Sequence, residues 1–377
     1  MEPITHFLTG ACIGRAGLNR KTAYATLAAV LAAEAADIDI LWGFAGPVEE
    51  LKHHRGITHT FIGAPVVAAV VVGAVWLFHH WRERRRAKVQ SRSATAPVDP
   101  GAPPQRVPQR VRWLWLYFAA LIAALSHILL DWTNNYGVRP FFPFNPRWYE
   151  GSVFFIVEPV LWVLLIAALV IPGLLGLADR EIGVRKVAFR GRGWAIFALS
   201  GMLVLGCWRW LEHAQALTML SQTQVASAPV MRVAVEPYPV NPFRWHAILE
   251  TGSYYQTAEI DTRTGFIDSD PERDVLYMPA DTPAVEAAKR TFLGQVYLDW
   301  GRWAVVRDVG QEPVPGMAPP QLPPHRTWTT VEFTDLRFDY SFRGPGRAIG
   351  SSPLSGWVYI VDGHDDAGEA MGGREQK

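Results

Sequence analysis

Eight residues, His53-His54-Arg55-Gly56-Ile57-Thr58-His59-Thr60, put three imidazoles, a guanidinium and two hydroxyls directly ahead of an apolar run from Phe61 to Phe78. Polar groups at the mouth of a membrane-grade helix are costly to place and mark a site. Neutral imidazole is also the commonest nitrogen ligand for zinc and similar metals. The bland alternative is a set of histidines resting at headgroup level. His127 and Asp131 stand four residues apart, so a helix carries both on one face, the spacing by which one helix supplies two ligands. A buried His–Asp hydrogen bond would use the same spacing. Asp37 and Asp39 are two apart and converge only where a helix ends, which Gly43 and Gly46 permit. Paired carboxylates repel unless a cation lies between them, and the reading favoured here is metal ligation.

His54 and His59 do not share a helical face, but Gly56 lets the backbone bend between them and turn one or both toward the Asp pair. The planar fork of Arg55 suits a phosphate or carboxylate, with an ordinary salt bridge to Glu49 or Glu50 as the alternative. His6 alone reads more readily as a core or interfacial histidine than as a ligand. Glu158, ahead of Pro159 in an apolar run, needs a partner at that depth. Asn134 to Gly137 and Arg139 either line a pocket or form a turn. Neither a phosphate-binding glycine loop nor a Gly-x-Ser-x-Gly elbow is present.

The elements that must position these groups are membrane helices. The chain is 377 residues long, with net charge +1, 49% hydrophobic residues and 16 Trp, and the long apolar runs fall before about residue 215. Near-neutrality removes the global electrostatic case for nucleic acid. Cys12 and Cys207 lie far apart in apolar runs and imply no disulfide framework. Residues 3–17 and 21–41 read as a short helical hairpin, since fifteen residues reach only ~22 Å against a hydrocarbon core of ~30 Å. Segments 57–80, 113–131, 152–177 and 194–211 are long enough to cross. The basic segments 82–112, expected to be disordered, and 179–193 face the cytoplasm by the positive-inside rule. That topology sends His6, Asp37, Asp39, His54, His59, His127, Asp131 and Glu158 to one face, the outer one.

From about residue 225 the composition changes. Residues 231–235, 245–250, 254–261, 303–309, 328–333 and 357–362 are β-branched and aromatic runs of strand length. Thr262-Arg263-Thr264-Gly265 reads as a hairpin turn, and 283–300 as one amphipathic helix. The expected architecture is therefore a mainly α polytopic bundle of about six helices over 1–215. A soluble α+β domain follows over 225–365, with Trp245 and Trp357 in its core, then a frayed polar tail over 366–377.

Thr5-His6, Asp37-x-Asp39, His54-Arg55-Gly56-x-Thr58-His59, and His127-x3-Asp131 followed by Gly137 and Pro140-Phe-Phe-Pro143 together resemble the YdjM-like family of membrane-bound metal-dependent hydrolases, over roughly residues 1–215. The resemblance implies a bacterial inner-membrane protein, with His6, Asp37, Asp39, His54, His59, His127 and Asp131 in its motif. Many relatives are expected to carry Asp-Pro where this chain has Glu158-Pro159.

The resulting expectation is a centre of one to three divalent ions, zinc first, held by His6, Asp37, Asp39, His59, His127, Asp131 and Glu158. His54 and Arg55 would act on the substrate, an ester or phosphoester that location at the bilayer suggests is lipid-linked. Such a cation lowers the pKa of water and stabilises developing charge. The rival is a non-enzymatic membrane scaffold whose polar cluster is a hydrogen-bonded plug.

Overall fold

The computed structural model describes residues 1–93, 109–181, 191–314, 316–340 and 354–376. Its first half contains α1 (Pro3–Ile13), a wide π-turn over Gly14–Leu18, a single turn α2 (Asn19–Lys21), α3 (Ala25–Glu34), α4 (Pro47–His53), α5 (Gly63–Ser93), α6 (Trp113–Trp132), α7 (Pro159–Glu181) and α8 (Arg192–Gln222). Among the described residues, four stretches are long and apolar enough to cross a membrane: Gly63–Lys88, Trp113–Trp132, Pro159–Asp179 and Arg192–Gln222. The basic segment 82–112 begins inside α5, which continues helical to Ser93. Residues 94–108 and 182–190, the greater part of the two basic loops, lie outside the described residues.

Small residues decide how closely the helices pack. A Cβ at Gly14 would stand 2.4 Å from the Thr26 Cα, and one at Gly10 would stand 2.8 Å from the Ala29 carbonyl. Only glycine lets α1 approach the α3 backbone this closely, as in small-xxx-small contacts between membrane helices. On α3, Ala28, Ala29, Ala32 and Ala33 continue the contact against Ala68 and Val71 of α5 and Leu116, Ala120 and Ala123 of α6. On its other side α1 packs Leu8 and Cys12 against Leu165 of α7 and Ala195 and Ala198 of α8. The most enclosed span is α6, with 44% of its apolar window buried against 22–28% in the other three. It is also the span that carries His127 and Asp131.

Two five-stranded antiparallel sheets form most of the second half. The first has the order β1 (Val230–Pro237), β2 (Arg244–Thr251), β3 (Tyr254–Asp261), β4 (Phe266–Asp268), with β5 (Val275–Tyr277) also pairing with β3. The second runs β10 (Arg374–Glu375), β9 (Asp365–Met371), β8 (Gly356–Val361), β7 (Trp328–Asp335), β6 (Ala304–Gly310). Thr262 to Gly265 make the β3–β4 turn, Asp261 accepting from the Arg263 and Thr264 amides while Gly265 takes a φ of 72°. The single helix expected over 283–300 is two, α9 (Pro283–Arg290) and α10 (Phe292–Trp300). Thr291, extended at φ −67° and ψ 170°, ends the first and caps the second through its side chain.

Residues 366–376 are not the frayed tail that their polar composition suggests. They form β9 and β10, and Gln376 accepts from the Val48 amide and donates to the Ala45 carbonyl, clamping this edge to the start of α4. The C-terminal region has apolar clusters of its own, such as Ile248, Trp303, Val305 and Leu336, and also shares one with the first half. Its largest apolar cluster, with Leu293, Tyr297, Trp300 and Phe333, also takes in Val48 and Leu51 of α4 and Tyr136 and Trp148 of the segment after α6. Trp245 is fully buried, as expected, while Trp357 is half-buried beside a satellite cluster.

A buried charge network completes this joint. Arg337 donates to Asp335 and Glu150 and to the carbonyls of Asn135 and Trp300. Glu236 is buried beside it, and its Oε2 has no hydrogen-bond partner. Burial, reinforced by the Glu150 charge and opposed by Arg337, raises the Glu236 carboxyl from its ordinary 4.5 to about 8. A carboxyl raised on folding gives stability that is complete below the unfolded value and lost as pH climbs through the folded one. The melting temperature of the detergent-solubilised protein should therefore fall between about pH 5 and 8, and Glu236→Gln should flatten that slope. An unchanged slope in the variant would show that Glu236 does not cause it.

Candidate metal centre

The α-helix α3 stops at Glu34 and the chain tightens into a 3₁₀ helix over Ala35–Phe44. This change of pitch lets Asp37 and Asp39 address the same histidine from different sides. Asp37 Oδ1 is 3.2 Å from His59 Nε2, while Asp39 Oδ2 is 3.3 Å from His59 Nδ1. Ile38 and Ile40 between and beyond them are 58% and 60% exposed. The bend at Gly56 (φ −81°, ψ −135°) leads into a single 3₁₀ turn, Ile57–His59, that brings His59 inward. From α6, His127 and Asp131 project to the same point on one face.

Four ligand atoms, one each from Asp37, His59, His127 and Asp131, lie within 4.8 Å of one another. His127 Nε2 is 3.0 Å from His59 Nε2, 3.2 Å from Asp131 Oδ2 and 3.5 Å from Asp37 Oδ1. The tautomers follow from the outer partners. His127 Nδ1 is 2.5 Å from the Ala33 carbonyl, which can only accept, so Nδ1 donates, and when the ring is neutral its Nε2 lone pair faces inward. His59 Nδ1 faces Asp39 in the same manner, leaving its Nε2 lone pair on the cluster. Two nitrogen lone pairs and two carboxylate oxygens then meet in a buried space. Asp131 Oδ2, in a residue only 1% exposed, has no hydrogen-bond donor. Acceptors without a donor are costly to bury, and a divalent cation satisfies all four, so the donor set fits a metal.

Asp39 plays a different part from the one expected. Beyond His59, its carboxylate accepts from the Arg55 amide at 2.7 Å and lies 3.4 Å from His54 Nδ1. It lies behind His59, outside the four-residue group, where it orients that imidazole. Burial opposes ionisation of Asp39, but the hydrogen bonds from His54 and His59 outweigh it and hold the carboxyl well below the usual range. Asp37, buried beside His127 and His59, is likewise held low.

Arg55, at a positive φ of 52°, is buried and turned inward, not onto Glu49 or Glu50. Its Nη2 is 2.9 Å from Asp131 Oδ1, and its Nη1 donates to the Gly137 carbonyl at 2.5 Å and to Asn134 Oδ1 at 3.3 Å. The guanidinium also lies over the Tyr136 ring, 4.6 Å from its centroid. His53 takes the partner considered for Arg55, pairing with Glu49 at 3.2 Å. His6 stacks on His127 with ring centroids 3.7 Å apart and places Nε2 3.3 Å from Asp131 Oδ1. The amino group of Met1 donates to the same oxygen.

Glu158 is not brought to this cluster. Its Oε2 pairs with Arg209 of α8 at 3.1 Å and its Oε1 accepts from the Val240 amide. Arg209 also donates to the carbonyls of Val153 and Tyr238. The partner that Glu158 needs at depth is thus an arginine rather than a metal. The signal for it was a lone arginine inside the apolar run of α8. Asn134 and Gly137, which read equally as turn or pocket, are the residues that hold Arg55 in place.

Four membrane-grade helices and a buried His/Asp cluster at the end of the most enclosed one define a membrane protein with a candidate metal-binding site. The model for the YdjM inner membrane protein family matches residues 1–216, and the chain belongs to that family. It is also 23% identical over 179 residues to the Uncharacterized protein YfhP of Bacillus subtilis (strain 168). That match covers 45% of this chain and 46% of YfhP, so it spans about half of the curated relative. No solved structure matches.

His127→Ala and Asp131→Ala should each lose bound cation in elemental analysis of the purified protein. Glu158→Gln should keep the cation and instead cost about 3–5 kcal/mol of stability, because Arg209 loses its buried partner. Full metal content in His127→Ala would remove that residue from the centre.

Proposed function

We propose that the chain is a membrane-bound metallohydrolase acting on an ester or phosphoester, lipid-linked, at the outer face of a bacterial inner membrane. The observation that carries this reading is the meeting of the His59 and His127 Nε2 atoms with carboxylate oxygens of Asp37 and Asp131, beside a cavity reached by Asp37, His54 and Arg55. Asp37, His59, His127 and Asp131 would hold the cation. Mixed imidazole and carboxylate donors favour zinc. When bound, such an ion supplies Lewis acidity and lowers the pKa of water.

The remaining groups belong to the chain itself. Asp39 fixes the His59 ring and, through the Arg55 amide, the bend at residue 55. Arg55 holds Asp131 by its Nη atoms, while its Nε, buried and without a partner, is left to take an anionic oxygen of the substrate. His54 donates through Nδ1 to Asp39, and its ring is 25% exposed at the cavity wall. Its Nε2 is then the atom that takes and returns a proton. The outer-face assignment is supported by the basic residues of 82–112 and 179–193, which place those loops inside.

One observation favours the rival plug. Asp131 already has cationic partners in Arg55 and the Met1 amine, and a plug needs no metal. The two readings separate on chelation. Hydrolysis of chromogenic phosphomonoesters, phosphodiesters and carboxylesters by the full chain should vanish after exhaustive chelation and return with Zn²⁺. His54→Ala should lower kcat by about 10²–10⁴-fold with metal content unchanged. Turnover that survives chelation would rule out the metallohydrolase.

A further inference from the structure

A cavity of about 820 Å³ lies against the cluster, within the size range of small-molecule sites. At one end it reaches Asp37, His54 and Arg55. Its walls are mostly apolar, with Pro3 on α1, Leu31 on α3 and Val70, Val71 and Ala74 on α5, and Glu34 and Glu50 add two carboxyls to the lining. From Gly63 at the start of α5 to Ala74 is eleven residues, about 16 Å along a helix, so the space follows a membrane-grade span well past its first turns. It also opens sideways: Leu31 is 41% exposed and Val70 66%. At the polar end Leu354 of the C-terminal region and Tyr136 close over it.

We propose that this space is a lateral groove that takes one hydrocarbon chain of a membrane amphiphile, with the anionic head of that molecule at Arg55 and His54. The head position rests on the reading of the cluster as a hydrolytic centre. The chain position rests on the groove alone. Three features carry it. A polar end and an apolar length form one cavity, which matches an amphiphile and not a soluble ester. The Arg55 Nε is buried, in a residue 3% exposed, and lacks a partner at that polar end. Finally, the lining is apolar where it reaches the surface, with Ile38 and Ile40 58% and 60% exposed, so the opening meets acyl chains and not water.

The test is equilibrium binding of inorganic phosphate, butyl phosphate and octyl phosphate to the full chain held in amphipol, with Val70→Trp and Ala74→Trp alongside. Each methylene buried in the groove adds about fourfold in affinity. Octyl phosphate should therefore bind on the order of 100-fold more tightly than butyl phosphate. In the Trp variants that excess should fall about tenfold or more, while inorganic phosphate binding stays the same. Equal affinity of phosphate and octyl phosphate would show a free-phosphate site and overturn the groove. A chain-length gain that persists in both Trp variants at wild-type melting temperature would place the chain elsewhere on the apolar belt and overturn it equally. Should either variant fail to fold, the other decides, and Val70→Phe or Ala74→Leu replaces the one lost. Metal analysis of the same unchelated preparation separates the two readings: a protein that carries no metal but shows the chain-length gain refutes the hydrolase and leaves the groove standing.

Discussion

Two imidazole nitrogens and two carboxylate oxygens drawn within 4.8 Å of one another are the constraint on which the site depends. Each of His59 Nε2 and His127 Nε2 is fixed in that place by what holds its other ring nitrogen, Asp39 and the Ala33 carbonyl. The arrangement is unfavourable in a buried space unless positive charge occupies it. Arg55 meets part of this need, but its Nη2 reaches Asp131 Oδ1 and leaves Oδ2 without a donor.

The rest of the structure serves to hold that geometry. Gly10 and Gly14 let α1 press against α3, and the alanines of α3 bring it against α6, so the Ala33 carbonyl reaches His127. From the other side a chain of polar contacts runs outward. Arg55 holds Asp131 and is held by Asn134 and Gly137, and the neighbouring Asn135 exchanges hydrogen bonds with Arg337 of the C-terminal region. The sheet-bearing half is therefore linked to Asp131 through side chains and a shared apolar core.

Much of this was legible in the residues. His127 and Asp131 were readable because four-residue spacing has one meaning on a helix, and α6 is a regular helix there. Asp37 and Asp39 were readable as a pair because two-residue spacing demands a change of pitch, which the 3₁₀ stretch supplies. The six long β-branched and aromatic runs are strands. Other features left weaker marks. Glu158 and Arg209 are 51 residues apart, and no local pattern links a carboxylate to an arginine on another helix. Asp39 carries the same chemistry as Asp37, so composition cannot say which joins the His59, His127 and Asp131 group and which lies behind His59. The last strands escaped because 365–375 is rich in acid and glycine, and its pairing comes from the backbone and from the β8 edge beside it.

The central claim is that a cation sits between two imidazoles and two carboxylates. X-ray absorption spectroscopy at the edge of the metal retained by the purified wild-type chain tests this directly. The account predicts a stoichiometric ion with imidazole scattering from two rings, reduced to one ring in His59→Ala. A protein that retains no ion after purification in zinc-supplemented medium, or an ion with oxygen ligands alone, would contradict it.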